Sequence, residues 1–242
     1  MEKDYIHCTI FVTFVLVVLF IIIKLFMTAH KLPFHIERSL KMNVDNKVKP
    51  IENISFNGIP SIIYQSYDDD TVVSSELINN ISDNVSINEE FEFYLFNIHD
   101  KRLFIQSNFN DELIYVFDSL PLNEQHKLWI YCILYKNGGV YMDINFKLKK
   151  SLLDIITPIM ANLKQNNNII FTKNINMISN KLIVSPPGLP IYKELIDSYI
   201  NNKIITLSNL IDKYNYNDNV KLCFDKNSIK YIDTNEIIIY IN

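Results

Sequence analysis

The apolar and polar positions divide the chain into three stretches of unlike pattern. After a short tail (residues 1–7), Cys8 to Met27 reads CTIFVTFVLVVLFIIIKLFM, with Lys24 as its only charge and no polar face. As a helix this run reaches about 30 Å, the thickness of a bilayer's hydrocarbon core, which predicts a membrane anchor over residues 8–27. Residues 28–57 are polar, carry Pro33 and Pro50 and keep no period, as expected of a stem. From Gly58 to the end, residues 58–242, the pattern is that of one folded domain.

Within that domain, Ile59 to Gln65 has the β-branched run of a buried strand, followed by a loop over Ser66 to Asp70. A helix is expected around Ser75 to Ile81, a strand over Phe91 to Phe96, and helical spacing from Asp100 to Phe117 with an interruption near Asn108-Phe109-Asn110. Pro121-Leu122-Asn123 starts the next helix, with Asn123 as N-cap, and Leu128, Tyr131, Cys132 and Tyr135 give it an apolar stripe. Gly138-Gly139 stops it. Val140 to Phe146 then reads as a strand with Val140, Met142 and Ile144 on one face and Tyr141, Asp143 and Asn145 on the other. Leu152 to Leu163 is amphipathic, with a break expected at Pro158. Asn168 to Thr172 is a strand, Ser179 to Ser185 leads into a turn at Pro186 to Pro190, a helix runs from Ile191 to about Ile200, and Glu236 to Ile241 closes as a strand. Strands alternating with helices predict an α/β domain with a mainly parallel sheet.

Composition changes this picture in two places. With 40 Ile and 30 Asn against 2 Ala, 4 Gly and 2 Arg, the usage is that of an A/T-rich coding sequence, so Asn clusters carry little meaning while each glycine is informative. Twenty-three basic and 27 acidic side chains give a net charge of −4, which excludes a nucleic-acid neutraliser. Cys8, Cys132 and Cys223 form no disulfide framework or metal motif, although a Cys132–Cys223 bridge stays open. The apolar run is too long for a usual signal-peptide core and lacks a basic leader, so a retained single-pass anchor is favoured over a cleaved signal at Thr28-Ala29. Lys24, Lys31, Arg38 and Lys41 argue for a cytoplasmic domain. The sequons at Asn53, Asn80 and Asn84 argue for a lumenal, glycosylated one.

Chemistry concentrates behind the double glycine. Asp143 and Asn145 set two oxygen-bearing side chains together at a sheet end, a ligand type suited to a hard divalent cation. Asp68-Asp69-Asp70 also contains D-x-D but follows the first strand. His7, His30, His35, His99 and His126 have no metal-protease or triad spacing, and Trp129 with its neighbouring tyrosines reads as core.

The run Leu134-Tyr135-Lys136-Asn137-Gly138-Gly139-Val140-Tyr141-Met142-Asp143-Ile144-Asn145 resembles the DXD sugar-binding region of the Och-type glycosyltransferases of family 32, roughly L-Y-x-x-G-G-[IV]-Y-x-D-x-D. Ile59 to Tyr67 is similar to that family's first strand, I-P-K-I-I-H-Q-x-W, and Asn180 to Pro190 to its N-x-x-[IV]-x-[AS]-x-P-x-x-P segment. The resemblance spans Gly58 to Ile200. It implies a GT-A-type fold and transfer of a sugar, with retention of configuration, from a UDP- or GDP-sugar to a glycan or glycolipid acceptor, with manganese or magnesium as cofactor and a lumenal domain of the secretory pathway. Asp143 is then the catalytic-site aspartate. Asp143 and Asn145 are the metal and donor ligands, and Tyr64, Gln65 and Tyr131 lie near the nucleotide. Lys127 and Ile130 stand where the family has Asp and Arg, Asn145 where it has its second Asp, and its later T-G-P segment has no counterpart. Those departures leave a second reading, a catalytically inactive relative that binds or scaffolds, for instance beside an active transferase subunit.

Overall fold

The computed structural model describes residues 55–56, 58–67, 75–163, 169–174, 177–225, 228–232 and 237–241. The expected anchor, nearly all of the stem and Asp68-Asp69-Asp70 lie outside them. Among the described residues no helix is long and apolar enough to cross a membrane.

A two-residue antiparallel pair, β1 (Ser55–Phe56) with β2 (Ile59–Pro60), precedes the main sheet. Three strands then form a parallel group: β3 (Ile62–Ser66), β4 (Glu92–Phe96) and β5 (Gly139–Met142), with β3 paired to both of the others. Helix α1 (Ser75–Ser86) joins β3 to β4, and α2 (Ile98–Asn108), α3 (Asp111–Ser119) and α4 (Leu122–Asn137) join β4 to β5. The chain continues through β6 (Phe146–Leu148), α5 (Leu152–Ala161), β7 (Ile170–Lys173), β8 (Ile178–Ser185), α6 (Pro190–Ile200), α7 (Leu207–Ile211), a 3₁₀ turn at Asn217–Asn219, β9 (Val220–Asp225), β10 (Ser228–Tyr231) and β11 (Ile237–Ile241). The nine strands from β3 onward lie in the order β4-β3-β5-β8-β7-β9-β10-β11-β6.

The fold is mixed α/β as expected, but the sheet is not mainly parallel. Only β3–β4, β3–β5 and β7–β9 run parallel, and the other five neighbouring pairs are antiparallel. Connection length explains three of these five. Parallel neighbours need a crossover of a dozen residues or more, which the helices before and after β4 supply, whereas the short links β7–β8, β9–β10 and β10–β11 permit only antiparallel return.

Alternation along the central strands serves two cores. Tyr64, Tyr141, Phe171 and Ile183 pack with residues of α2, α3, α4, α6 and α7. Ile63, Val140, Met142, Ile170, Leu182 and Val184 point the other way, onto Ile155, Ile156 and Ile159 of α5. Trp129 is fully buried core, as its helical spacing predicts, and Cys132 and Cys223 are both free thiols.

Three local expectations change. Helix α4 is capped by Pro121, whose carbonyl accepts from Glu124 N and Gln125 N at 2.9 and 3.0 Å, so Asn123 sits inside the first turn. Pro158 lies within α5 without ending it. The carbonyl it leaves unpaired belongs to exposed Asp154, where water can serve it, while Ile155, Ile159 and Met160 hold the opposite face in the core. The strand after the double glycine stops at Met142, and Asp143 to Asn145 form a turn before β6.

Candidate active site

Chain topology places a crevice where ligands of α/β sheets usually bind. From β3 the chain winds outward to β4, then crosses back to β5 on β3's other side, so β3 and β5 separate at their carboxyl ends. A cavity of about 1060 Å³ opens there. Ser66 and Tyr67 reach it from the end of β3, Tyr141 from β5, Asp143 and Asn145 from the turn, Glu124, His126, Lys127 and Tyr131 from α4, and Asn180 and Lys181 from β8.

The double glycine aims the turn. Gly138 (φ 66°) and Gly139 (φ 99°) both occupy backbone regions that side chains disfavour. A Cβ at Gly138 would stand 2.6 Å from Pro187 N, and one at Gly139 2.8 Å from the Ile62 carbonyl. The helix can therefore end against the Pro186-Pro187 loop and β5 can enter beside β3 only without side chains at these positions. Asp143 follows. Its backbone N–H donates to the Lys181 carbonyl at 2.8 Å, its own carbonyl accepts from Phe146 N at 3.1 Å, and Oδ1 accepts from both Asn145 N and Asn145 Nδ2 at 3.0 Å. A carboxylate that captures the N–H two residues on offers the backbone an alternative to the ladder, which is why the strand ends here and not at Phe146.

The wall beside the turn is a hydrogen-bonded group. His126 Nε2 lies 2.9 Å from the Tyr141 hydroxyl, and Nδ1 lies 3.1 Å from Ser66 Oγ and 3.3 Å from Lys101 Nζ. Lys101 is buried, with its ammonium 5.5 Å from the Trp129 ring centroid. Burial, reinforced by the Lys101 charge, lowers the His126 pKa to about 4, so the ring is neutral at neutral pH. Since an ammonium only donates, Nδ1 accepts, the single ring proton sits on Nε2, and Nε2–H donates to Tyr141. On the opposite side, Glu124 takes Lys127 Nζ and the Tyr199 hydroxyl, each at 2.7 Å. Burial would raise the Glu124 carboxyl, but these two partners outweigh it and hold it below its ordinary value.

Of the residues singled out by sequence, Tyr131, Asp143 and Asn145 line the cavity. Tyr131 accepts from Asn180 Nδ2 at 3.0 Å, and burial pushes its phenol pKa up. Tyr64 and Gln65 do not line it. Tyr64 faces the core, packed between Tyr94 and Phe96, and Gln65 is buried behind the turn with Nε2 3.5 Å from the Asp143 carbonyl. Position 130 is also core: Ile130 is 1% exposed. Glu124, His126 and Lys181 escaped the sequence reading. Only the helical spacing of Glu124, His126, Lys127 and Tyr131 hinted that they share a surface, and nothing local links Lys181 to Asp143.

Asp143 and Asn145 do not present a ligand set for manganese or magnesium. Hard cations take several oxygens, usually with one or two free carboxylates. Here Asp143 is the turn's only carboxylate, the Asn145 amide donates to it, and the Lys181 ammonium stands 3.8 Å from its Oδ2. Glu124, the cavity's other carboxylate, is already paired. Among the described residues no cluster of three His, Cys, Asp or Glu could hold a metal ion.

Asn80 and Asn84 also stand apart from expectation, because both are buried. Asn84 donates to the Phe146 carbonyl at 2.6 Å and accepts from Leu148 N at 2.9 Å, so it ties α1 to β6 and offers no acceptor for a glycan.

Among solved structures the chain is similar to the PaToxG glycosyltransferase, at 13% identity over 64% of this chain and 69% of that one, with a TM-score of 0.48. It is also similar to a transferase solved as a double cysteine-to-serine mutant, at 10% identity over 66% and 90% of the two chains, with a TM-score of 0.38. No curated protein matches. Residues 58–180, just over half of the chain and the stretch that carries β3, α4, the double glycine and Asp143, match the family described as the glycosyltransferase sugar-binding region containing the DXD motif, and the chain belongs to that family.

Proposed function

We propose that the domain transfers a sugar from a UDP- or GDP-linked donor, with retention of configuration, to the hydroxyl of a glycan or glycolipid. In that reaction the bond from the anomeric carbon to the diphosphate oxygen breaks, a bond to the acceptor oxygen forms, and the nucleoside diphosphate leaves. The observation that carries the reading is the position of Asp143, the family's motif residue, on a turn at the mouth of the β3–β5 crevice. Tyr141 and the neutral His126 behind it supply hydrogen-bonding groups of fixed orientation toward the sugar. Leu122, Met177 and Ile204 are exposed apolar side chains on the same cavity, which supports an acceptor with an apolar part. The anchor expected at residues 8–27 would hold the domain at a membrane. Its lumenal placement rests on the family resemblance, since Asn80 and Asn84 are buried.

The test is calorimetric titration of the full-length chain with UDP, GDP and their sugars, followed by an assay of donor hydrolysis. Binding and turnover are expected, and Asp143→Ala should abolish turnover. Full activity of that variant would exclude Asp143 as the site residue. The inactive-relative reading is favoured by one observation, the burial of Ile130 where the family carries arginine. It predicts nucleotide binding with no turnover.

A further inference from the structure

Resting on that functional reading, we propose that Lys181 takes the place of a divalent ion, so that the donor's diphosphate is held by an ammonium group and its affinity does not depend on metal.

The register of the sheet fixes the geometry. β5 and β8 are antiparallel with Met142 opposite Leu182, and the ladder continues one step further through the bond from Asp143 N–H to the Lys181 carbonyl. The side chains of Asp143 and Lys181 consequently leave neighbouring backbone positions into the same cavity. The Lys181 ammonium is 3.8 Å from Asp143 Oδ2, on the side of the carboxylate that Asn145 does not occupy. A cation bound to that oxygen would meet the ammonium at contact range, and like charges at such a distance repel. The same carboxylate orients the ammonium, and the side chain of Lys181 is half exposed, so phosphate oxygens can approach it from the cavity.

Charge in the cavity agrees with this assignment. Lys127, in the second turn of α4, also lines the cavity, while Lys101 is buried beneath His126 outside the lining. The lining ammonium groups of Lys127 and Lys181 balance the carboxylates of Glu124 and Asp143, and the Lys127 charge is already paired with Glu124. Lys181 with Asp143 alone sums to zero, as a divalent ion held by two motif aspartates would. The replacement of the second motif aspartate by Asn145 and the ammonium beside Asp143 are thus two parts of one change: the second carboxylate is dispensable where the positive charge is covalently attached to the protein.

The experiment titrates UDP, GDP and their sugars into the full-length chain in EDTA and again in manganese chloride. Affinity is expected to agree within about twofold between the two media. Lys181→Met should weaken binding in EDTA by about tenfold or more, the effect of losing a charge-assisted contact. Because the Lys181–Asp143 pair is a surface one, the melting temperature serves as the folding control. Adding Asn145→Asp to Lys181→Met rebuilds two carboxylates without the ammonium, and this double variant should regain affinity in manganese only. Binding that requires manganese in the wild-type chain, or unchanged affinity in Lys181→Met, overturns the inference and leaves the functional reading standing. No nucleotide binding in either medium overturns both.

Discussion

His126 shows how far one side chain's chemistry is set by its neighbours. Unfolded, it takes up a proton near pH 6.5; folded, only near pH 4. Between those values the unfolded state binds more protons, so acid favours unfolding. The stabilising contribution is whole above about pH 6.5 and is lost as pH falls toward 4. Roughly 2–3 kcal/mol is at stake, which melting curves of the wild type and His126→Gln from pH 7.5 to 4.5 can measure. The wild type should lose stability more steeply, and parallel curves would show that the ring is not responsible. The sequence offered no sign of this, because Lys101, Tyr141 and Ser66 converge on the ring from three other elements. Asn84 gives the complementary lesson. Biased composition makes asparagine look uninformative, yet Asn84 and Asn88 together bind the backbone at Phe146, Leu148 and Leu152.

At the scale of elements, what could be read in the sequence was what is encoded locally. The stripe on α4, the glycine stop and the alternation of β5 depend on neighbours a few residues away, and they appear where expected. The strand's end at Asp143 and the start of α4 at Pro121 depend on which backbone groups a side chain or a carbonyl captures, and pattern alone misplaced both. Gly139 joins the two kinds of information. Gly139→Ala must place a methyl group 2.8 Å from the Ile62 carbonyl at φ 99°. A loss of about 2–4 kcal/mol is expected from backbone strain and overpacking together, measurable by urea denaturation. A variant as stable as the wild type would mean that β5 can shift away from β3.

At the scale of the whole molecule, the half of the sheet that differs from expectation is the half that holds the three short connections, where the helix–strand alternation lapses. Its order also brings distant parts of the chain together. β6 leaves the Asp143 turn directly, and it is held on the sheet by β11, with Phe146 opposite Ile241 and Leu148 opposite Ile239. A chain lacking residues 237–242 should therefore melt at lower temperature and lose donor affinity, although no described residue it lacks lines the cavity. Retained affinity in that truncated chain would show that Asn84 alone can fix β6.

The pairing of β6 with β11 also has a consequence in time. Translation delivers Asp143 well before Ile237, so the nascent chain carries its motif through the synthesis of more than ninety further residues without the strand that holds it in place. Non-local pairing of this kind forms late in folding. A premature stop shortly before β11 is therefore expected to leave the Asp143 turn tied to β8 and, through β6, to Asn84, but without its β11 brace.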